Sequence, residues 1–427
     1  MINRIEKLLK LNKEVNAYRI TEKHNESVEL FYVLKKLETN RATNYTEYSV
    51  TVYRDFNSFR GSATFSVAVS ANDEEIETKI KEAVYAASFV ENPFFELPKK
   101  EDFSYNYPSN LTDKPLISFT YQIANAVFAA DTNKDGWINS TEIFLHRIQN
   151  TIVNSNGVNA SYEYHKIMIE IIPTWKNGDE EVELYKAIEM SELNLDKITF
   201  EVKEILLLAK ERSLAVSIPE NLKCNVILQE EEVESIFQGF TQDLNYATAY
   251  RKMSLSEIGK SVQTDEIIGD KIDVSLVPYL AGSTYSKPID DDGVVLKETK
   301  IIEEGIAKNL YGNNQTGFYL GIKNPTGNIP NIIAKPGTKT FAAMQKEPHL
   351  YCVSFSGMQF DLYSGFFGGE VRFGFYFDGK KTIPVTGFSI SGNIHEAKKN
   401  LVFSKEETVR NGFKGPKYIE VKDMQIL

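Results

Sequence analysis

The segment whose residue types come nearest to spelling out a chemistry is Asp131-Thr132-Asn133-Lys134-Asp135-Gly136-Trp137-Ile138-Asn139-Ser140-Thr141-Glu142. It fills the calcium-loop pattern, with side-chain oxygens at positions 1, 3, 5, 9 and 12 and a glycine at position 6 for the sharp turn. The segment before it, Ser118–Ala130, reads as a helix, as such a loop requires, whereas Ile143–Val153 after it fits a helix or a strand. The usual second loop is missing from the sequence. An Asp/Asn/Gly-rich turn between a helix and a strand is the preferred reading, and calcium at 131–142, if held, would be structural.

The remaining candidates are weaker. The histidines are His24, His146, His165, His349 and His395, and no two lie at ligand spacing. His395-Glu396 begins like a zinc-protease helix, but Lys399 and Asn400 stand where a second imidazole would complete it. Gly387-Phe388-Ser389-Ile390-Ser391 resembles a nucleophile elbow with serine in place of its second glycine, and it sits in an alternating strand pattern. Phosphate-cradling and dinucleotide glycine fingerprints are absent, and Gly365-Phe366-Phe367-Gly368-Gly369 reads as a tight turn. Asp290-Asp291-Asp292 and Glu303-Glu304 read as solvated loop faces. Spacing alone therefore assigns no catalytic, cofactor-binding or metal-ligating residue.

The elements around these candidates divide the chain. Tyr48, Val50 and Val52 alternate with polar neighbours, the chain turns at Phe56–Gly61, and Ala63, Phe65, Val67 and Val69 continue the apolar face, so a hairpin is expected. Asn72 with Glu75 three residues later forms a capping box, and Ile76, Ile80, Val84 and Ala87 share one face of the helix that follows. Thr151–Val153 and Tyr162–Ile172 read as strands flanking the turn Asn154–Gly157, and Ile198–Arg212 as a helix. Val216-Ser217-Ile218-Pro219-Glu220-Asn221 reads as a linker. Beyond it, a helix over Glu232–Leu244 precedes a region rich in Gly, Asn, Pro and aromatics, with strands at Glu370–Asp378 and Thr382–Ser391 joined at Gly379–Lys381. The expected fold is α+β: an N-terminal α/β domain of hairpins and packed helices over residues 1–215, and a C-terminal, mostly antiparallel β domain over 220–427.

A chain of 427 residues is long enough for two or three domains, and 42% hydrophobic residues suffice for a real core. Its 48 basic and 59 acidic residues leave a net charge of −11, which disfavours a phosphate backbone and makes nucleic acid an unfavoured partner. Two cysteines, Cys224 and Cys352, rule out a disulfide scaffold. Charge interrupts every apolar run of the N-terminus, and no run approaches the ~20 residues of a membrane span. A cytoplasmic location without membrane association is the default expectation.

Taken in order, several segments resemble the TldD/PmbA family, known as modulators of DNA gyrase or Tld-type metallopeptidase subunits. They are Asn154-Ser155-Asn156-Gly157-Val158, Pro288-Ile289-Asp290-Asp291-Asp292-Gly293-Val294, Thr299–Gly305, Thr326-Gly327-Asn328 and Lys335-Pro336-Gly337. Ser364-Gly365-Phe366, Gly374-Phe375, Asp378-Gly379, Pro384-Val385 and Ser391-Gly392-Asn393-Ile394 follow in the family's order. Their order and spacing cover roughly residues 40 to 425. One kind of family subunit carries His-Glu-x-x-x-His on a helix of its second domain, plus a downstream cysteine, and binds zinc; the other lacks all three ligands. Here the matching helix, within Glu231–Leu244, has no histidine, and Asn411–Leu427 has no cysteine. The glycine run around Phe355–Ser364 is shorter than in ordinary members.

The resemblance therefore implies a PmbA (TldE)-like, non-catalytic subunit, with zinc expected only in a TldD-type partner. It further implies a shared chamber in which the pair degrades unfolded peptides and trims a peptide-antibiotic precursor. Extended peptides would bind by sheet-edge pairing in the β-rich domain, and a homodimer is the alternative assembly. Two other readings stand beside it: an active peptidase with unrecognised metal ligands, and a DNA gyrase-modulating binding protein.

Overall fold

A computed structural model of the chain describes residues 1–218 and 222–427. The first half runs α1 (Ile2–Leu11), β1 (Ala17–Val33), β2 (Lys36–Phe56), β3 (Phe59–Val67), α2 (Asp73–Ala87), β4 (Asp102–Asn106), α3 (Ile117–Phe128), β5 (Gly136–Asn154), β6 (Asn159–Asn177), β7 (Glu180–Glu183), β8 (Lys186–Met190) and α4 (Leu195–Ser213). Its strands form one sheet in the order β3-β2-β1-β5-β6-β4, with β7 and β8 also paired to β6. Neighbours are antiparallel except β4, which runs parallel to β6.

Alternation along these strands decides which face is covered, since successive side chains point to opposite sides. Tyr18, Ile20, Val50 and Val52 lie under α1 and α2, and Val28, Leu30, Leu145, Ile167 and Ile169 lie under α3 and α4. The helix α2 begins at the expected capping box: the Asn72 side chain accepts from the Glu75 amide, and the Glu75 carboxylate from the Asn72 amide, both at 2.9 Å. The opposite sheet face is polar. Asn25, Ser27 and Glu29 of β1 stand there with Thr43 and Arg41 of β2 and His146 of β5, and Ser27 bonds Thr43 at 2.6 Å. This polar face looks towards the second half, to which Arg19 is tied through Asp292 at 2.5 Å.

The second half holds two further sheets. One contains β9 (Val216–Ser217), β10 (Leu222–Gln229), β15 (His349–Phe360), β16 (Phe366–Phe377), β17 (Thr382–Thr386), β18 (Phe388–Asn393), β19 (Val402–Phe403) and β22 (Tyr418–Ile426). The other contains β11 (Val274–Val277), β12 (Thr299–Glu303), β13 (Ile306–Ala307), β14 (Asn331–Ala334), β20 (Glu407–Arg410) and β21 (Phe413–Pro416). Pairing is mostly antiparallel, with parallel exceptions at β10–β15, β9–β17 and β14–β21. The helix α5 (Glu231–Asp243) lies against β10, β14 and β15 and inserts Val233, Ile236, Phe237 and Phe240 into the core that both sheets share. An α+β fold with a strand-rich second half is what the composition led one to expect.

Local expectations need two amendments. Thr382–Ser391 is two strands, because Gly387 takes a φ of +70° and turns the chain out of the ladder. Val216 and Ser217 are not free linker: they pair in parallel with Val385 and Thr386. The rest of the expected linker, Pro219 to Asn221, lies outside the described residues.

Candidate functional site

The 131–142 segment does not close into a cation loop. Asp131 is buried and spends its carboxylate locally, accepting from the Ile138 amide at 3.2 Å and lying 3.5 Å from the Lys35 ammonium. From Gly136 onward the chain is drawn into β5, which pairs with β1 and β6. At about 3.3 Å per residue an extended strand carries Glu142 roughly 20 Å beyond the turn, and there it faces Glu170. Oxygens 1 and 12 of the pattern never meet, so the helix-to-strand turn is the correct reading.

The histidines are equally scattered. His24 bonds Thr46 at 2.9 Å, His146 bonds Asn25 at 3.1 Å, and His349 bonds the Glu347 carbonyl at 2.8 Å. His165 receives a bond from Arg147 at 3.1 Å, and burial followed by that guanidinium holds its pKa down at about 4. Among the described residues no three His, Cys, Asp or Glu side chains converge as metal donors.

The side chains that do converge surround the start of α5. The chain leaves β10 and enters this helix through Glu230, whose φ of +50° lies in a region non-glycine residues seldom adopt. Such a conformation costs about 1–3 kcal/mol, and ion pairs oppose that cost. The Glu230 carboxylate accepts from Lys186 of β8 at 3.1 Å and from Arg410 of β20 at 2.7 Å. Lys186 also reaches Glu201 of α4 at 3.2 Å, and Arg410 lies 3.9 Å from Glu234. Asn411 bonds Glu189, which in turn pairs with Lys166 at 2.6 Å. All of these groups except Lys166 line a cavity of about 440 Å³ between β8 and α4 on one side and α5 and β20 on the other.

Electrostatics differ sharply within one helical turn. Burial pushes Glu230 up, but Lys186 and Arg410 outweigh it and leave its pKa below the usual carboxylate range. Burial also depresses Lys186, and Glu230 with Glu201 more than restores it. Glu232 faces a neighbouring cleft with Ser354, Phe355 and Arg372, and burial there pushes its pKa up to about 7. Zinc sites use imidazole, thiolate or carboxylate donors. Here the carboxylates of Glu230 and Glu234 face a guanidinium, and an ammonium stands beside them. This donor set does not fit a zinc ion. Sequence reasoning located α5 but missed Lys186, Arg410 and Asn411, because nothing in their own neighbourhoods marks them; only tertiary pairing does.

Two of the turn segments singled out in the sequence meet at the seam between the halves. The Asn154 side chain accepts from the Asn156 and Val158 amides at 2.8 and 3.1 Å and donates to the Pro98 carbonyl at 3.1 Å. Opposite it, Asp290 accepts from the amides of Asp292, Val294 and Asn328 at 3.0, 2.9 and 3.0 Å. Asp290 is 0% exposed, which corrects its reading as a solvated loop acid, and burial followed by Asp292 raises its pKa to about 6. Val158, Ile289, Ile152 and Tyr162 then close an apolar cluster across the seam. These turns do structural work.

Comparison with known proteins agrees with this architecture. Residues 221–427 match a family model described as the PmbA/TldA metallopeptidase C-terminal domain. A metalloprotease PmbA homolog of Haemophilus influenzae is 25% identical over 185 residues, 42% of this chain and 40% of that protein. A metalloprotease of Methanothermobacter thermautotrophicus is 30% identical over 153 residues, 31% of this chain and 34% of its own length. The matched regions thus span less than half of those curated relatives. The crystal structure of TldE from Thermococcus kodakarensis superimposes with a TM-score of 0.80 at 15% identity, covering 99% of both chains. A Thermotoga maritima protein described as a modulator of a DNA gyrase gives 0.80 at 17% identity over 100% of both. At these identities the solved structures establish a shared fold.

Proposed function

The chain belongs to the TldD/PmbA family of metallopeptidase-like proteins, and on that premise we propose that it is a PmbA (TldE)-like, non-catalytic subunit. Its partner is a histidine-bearing, TldD-type zinc subunit, and the complex handles unfolded peptides. The observation that carries this reading is the donor set at α5. At the start of the helix to which the resemblance assigns zinc ligands, Arg410 and Lys186 share a cavity with Glu230 and Glu234. A divalent cation there would be repelled by both cations and would compete with them for the same carboxylates. What the subunit contributes is a wall of the chamber, with extended peptides pairing along a sheet edge of its β-rich second half.

The test is elemental mass spectrometry for metal per chain on tag-free protein, with casein digestion run on the chain alone and after mixing with a histidine-bearing relative. Near-zero zinc, no cleavage alone and cleavage by the mixture that exceeds the partner's own is the expected result. About one bound transition metal per chain together with cleavage by the chain alone would overturn the reading in favour of an active peptidase.

A further inference from the structure

The polar face of the first sheet walls a second cavity. Lys23 of β1, Asn150 of β5 and Tyr162 of β6 stand opposite one another in adjacent strands, so their side chains share that face. Residues of the 284–291 segment lie across them, with a space of about 430 Å³ between. On the sheet side Tyr162 and Tyr164 stack, with ring centroids 5.9 Å apart and planes at 20°, and Asn150 donates to the Tyr162 hydroxyl at 3.0 Å. The exposed ring of Tyr285 and Pro330 line the other side. The cavity is a slot between flat, weakly polar surfaces, of a size for one bulky side chain.

Its charges are unevenly matched. Asp291 pairs with Lys287 at 3.3 Å, and Asp292 pairs with Arg19. Lys23 has no such partner among the described residues. Glu47 stands directly opposite it on β2, yet no ion pair joins the two, and the half-buried lysine lines the cavity where Glu47 does not. Opposite charges placed across a strand pair normally satisfy each other. An ammonium drawn partly out of water without a counter-ion has lost hydration that a bound anion restores.

We propose that this slot holds the C-terminal aromatic residue of a peptide, its ring against Tyr164 and its carboxylate on Lys23. Aromatic rings pack on one another in offset or edge-to-face contact, which the tyrosine wall offers. The carboxylate adds a charge-assisted bond that the interior of a chain cannot make, so the slot sorts peptides by their last residue. The inference rests on the peptide-handling reading, but it is tested by binding to this chain alone.

The test is isothermal titration of the full chain with the peptide Gly-Ser-Gly-Ser-Gly-Ser-Gly-Phe, beside the same peptide amidated at its C-terminus. Amidation removes the charge and keeps the ring, and it is expected to weaken binding about tenfold. Alanine in place of the final phenylalanine removes the ring and is expected to weaken binding as well. Lys23→Gln, folded by circular dichroism, should bind acid and amide equally. Tyr164→Ala should weaken both, and Tyr164→Phe neither. Equal binding of acid and amide by the wild type would overturn the proposal, as would a preference that Lys23→Gln leaves intact or the failure of both peptides to bind. N-acetyl-phenylalanine binding as tightly as the peptide would overturn the peptide assignment in favour of a small aromatic acid. None of these outcomes alters metal content or casein cleavage, so the slot and the non-catalytic reading fail separately.

Discussion

A half-buried carboxylate, Glu232, and a fully buried one, Asp290, mark the places where single residues carry measurable consequences. Glu232 has its pKa pushed up to about 7 by burial, above the ~4.3 of an unfolded glutamate. Between those values the folded chain keeps a proton that the unfolded chain has released. Its stabilisation is therefore full below pH ~4.3 and declines as pH rises towards 7, by up to about 3 kcal/mol. Glu232→Gln should remove that slope and be more stable than wild type at pH 8, as urea denaturation at pH 5 and pH 8 would reveal; an unchanged slope would mean another group is responsible. Asp290 acts through geometry instead. Losing its three amide contacts should make Asp290→Ala about 3 kcal/mol less stable. Asp291→Ala, whose side chain is 86% exposed, should stay within about 0.5 kcal/mol of wild type. Equal losses at both positions would refute the buried-acceptor role.

At the scale of elements, α5 offers a prediction whose sign is informative. Glycine to alanine in a helix normally gains about 1 kcal/mol, but a Cβ on Gly239 would come within 2.1 Å of the Phe360 ring. Overpacking costs about 1–3 kcal/mol, so Gly239→Ala should destabilise, and Phe360→Ala in the same chain should make the alanine at 239 neutral or favourable. A double-mutant cycle by chemical denaturation measures the coupling. Legibility in the sequence also differed by element. The capping box at Asn72, the hairpin of β2 and β3 and the helix α4 were readable because local chemistry specifies them. The length of β1, β5 and β6 was not, since buried Asn25, Ser27, Glu29, Thr141 and His165 interrupt the apolar alternation with polar groups. The cavity at α5 was unreadable for a related reason: Lys186, Glu230 and Arg410 are joined by the fold alone.

For the whole molecule, the net charge of −11 sets the expectation for polyanions. No shift of duplex DNA should occur in a gel assay at about 0.15 M salt, where surface charges are screened beyond ~8 Å. Binding that weakens steeply as salt rises would instead reveal a local cationic patch. Among the described residues no helix is long and apolar enough to cross a membrane. The seam between the halves carries a further consequence. Asn154 and Asp290 each hold the turn on their own side of it by gripping backbone amides within that half, a group every residue but proline possesses. A joint made this way survives the replacement of nearly all its neighbours, so the architecture can be inherited long after the sequence has drifted. This chain and the Thermococcus TldE share that architecture at a TM-score of 0.80 with only 15% of residues identical.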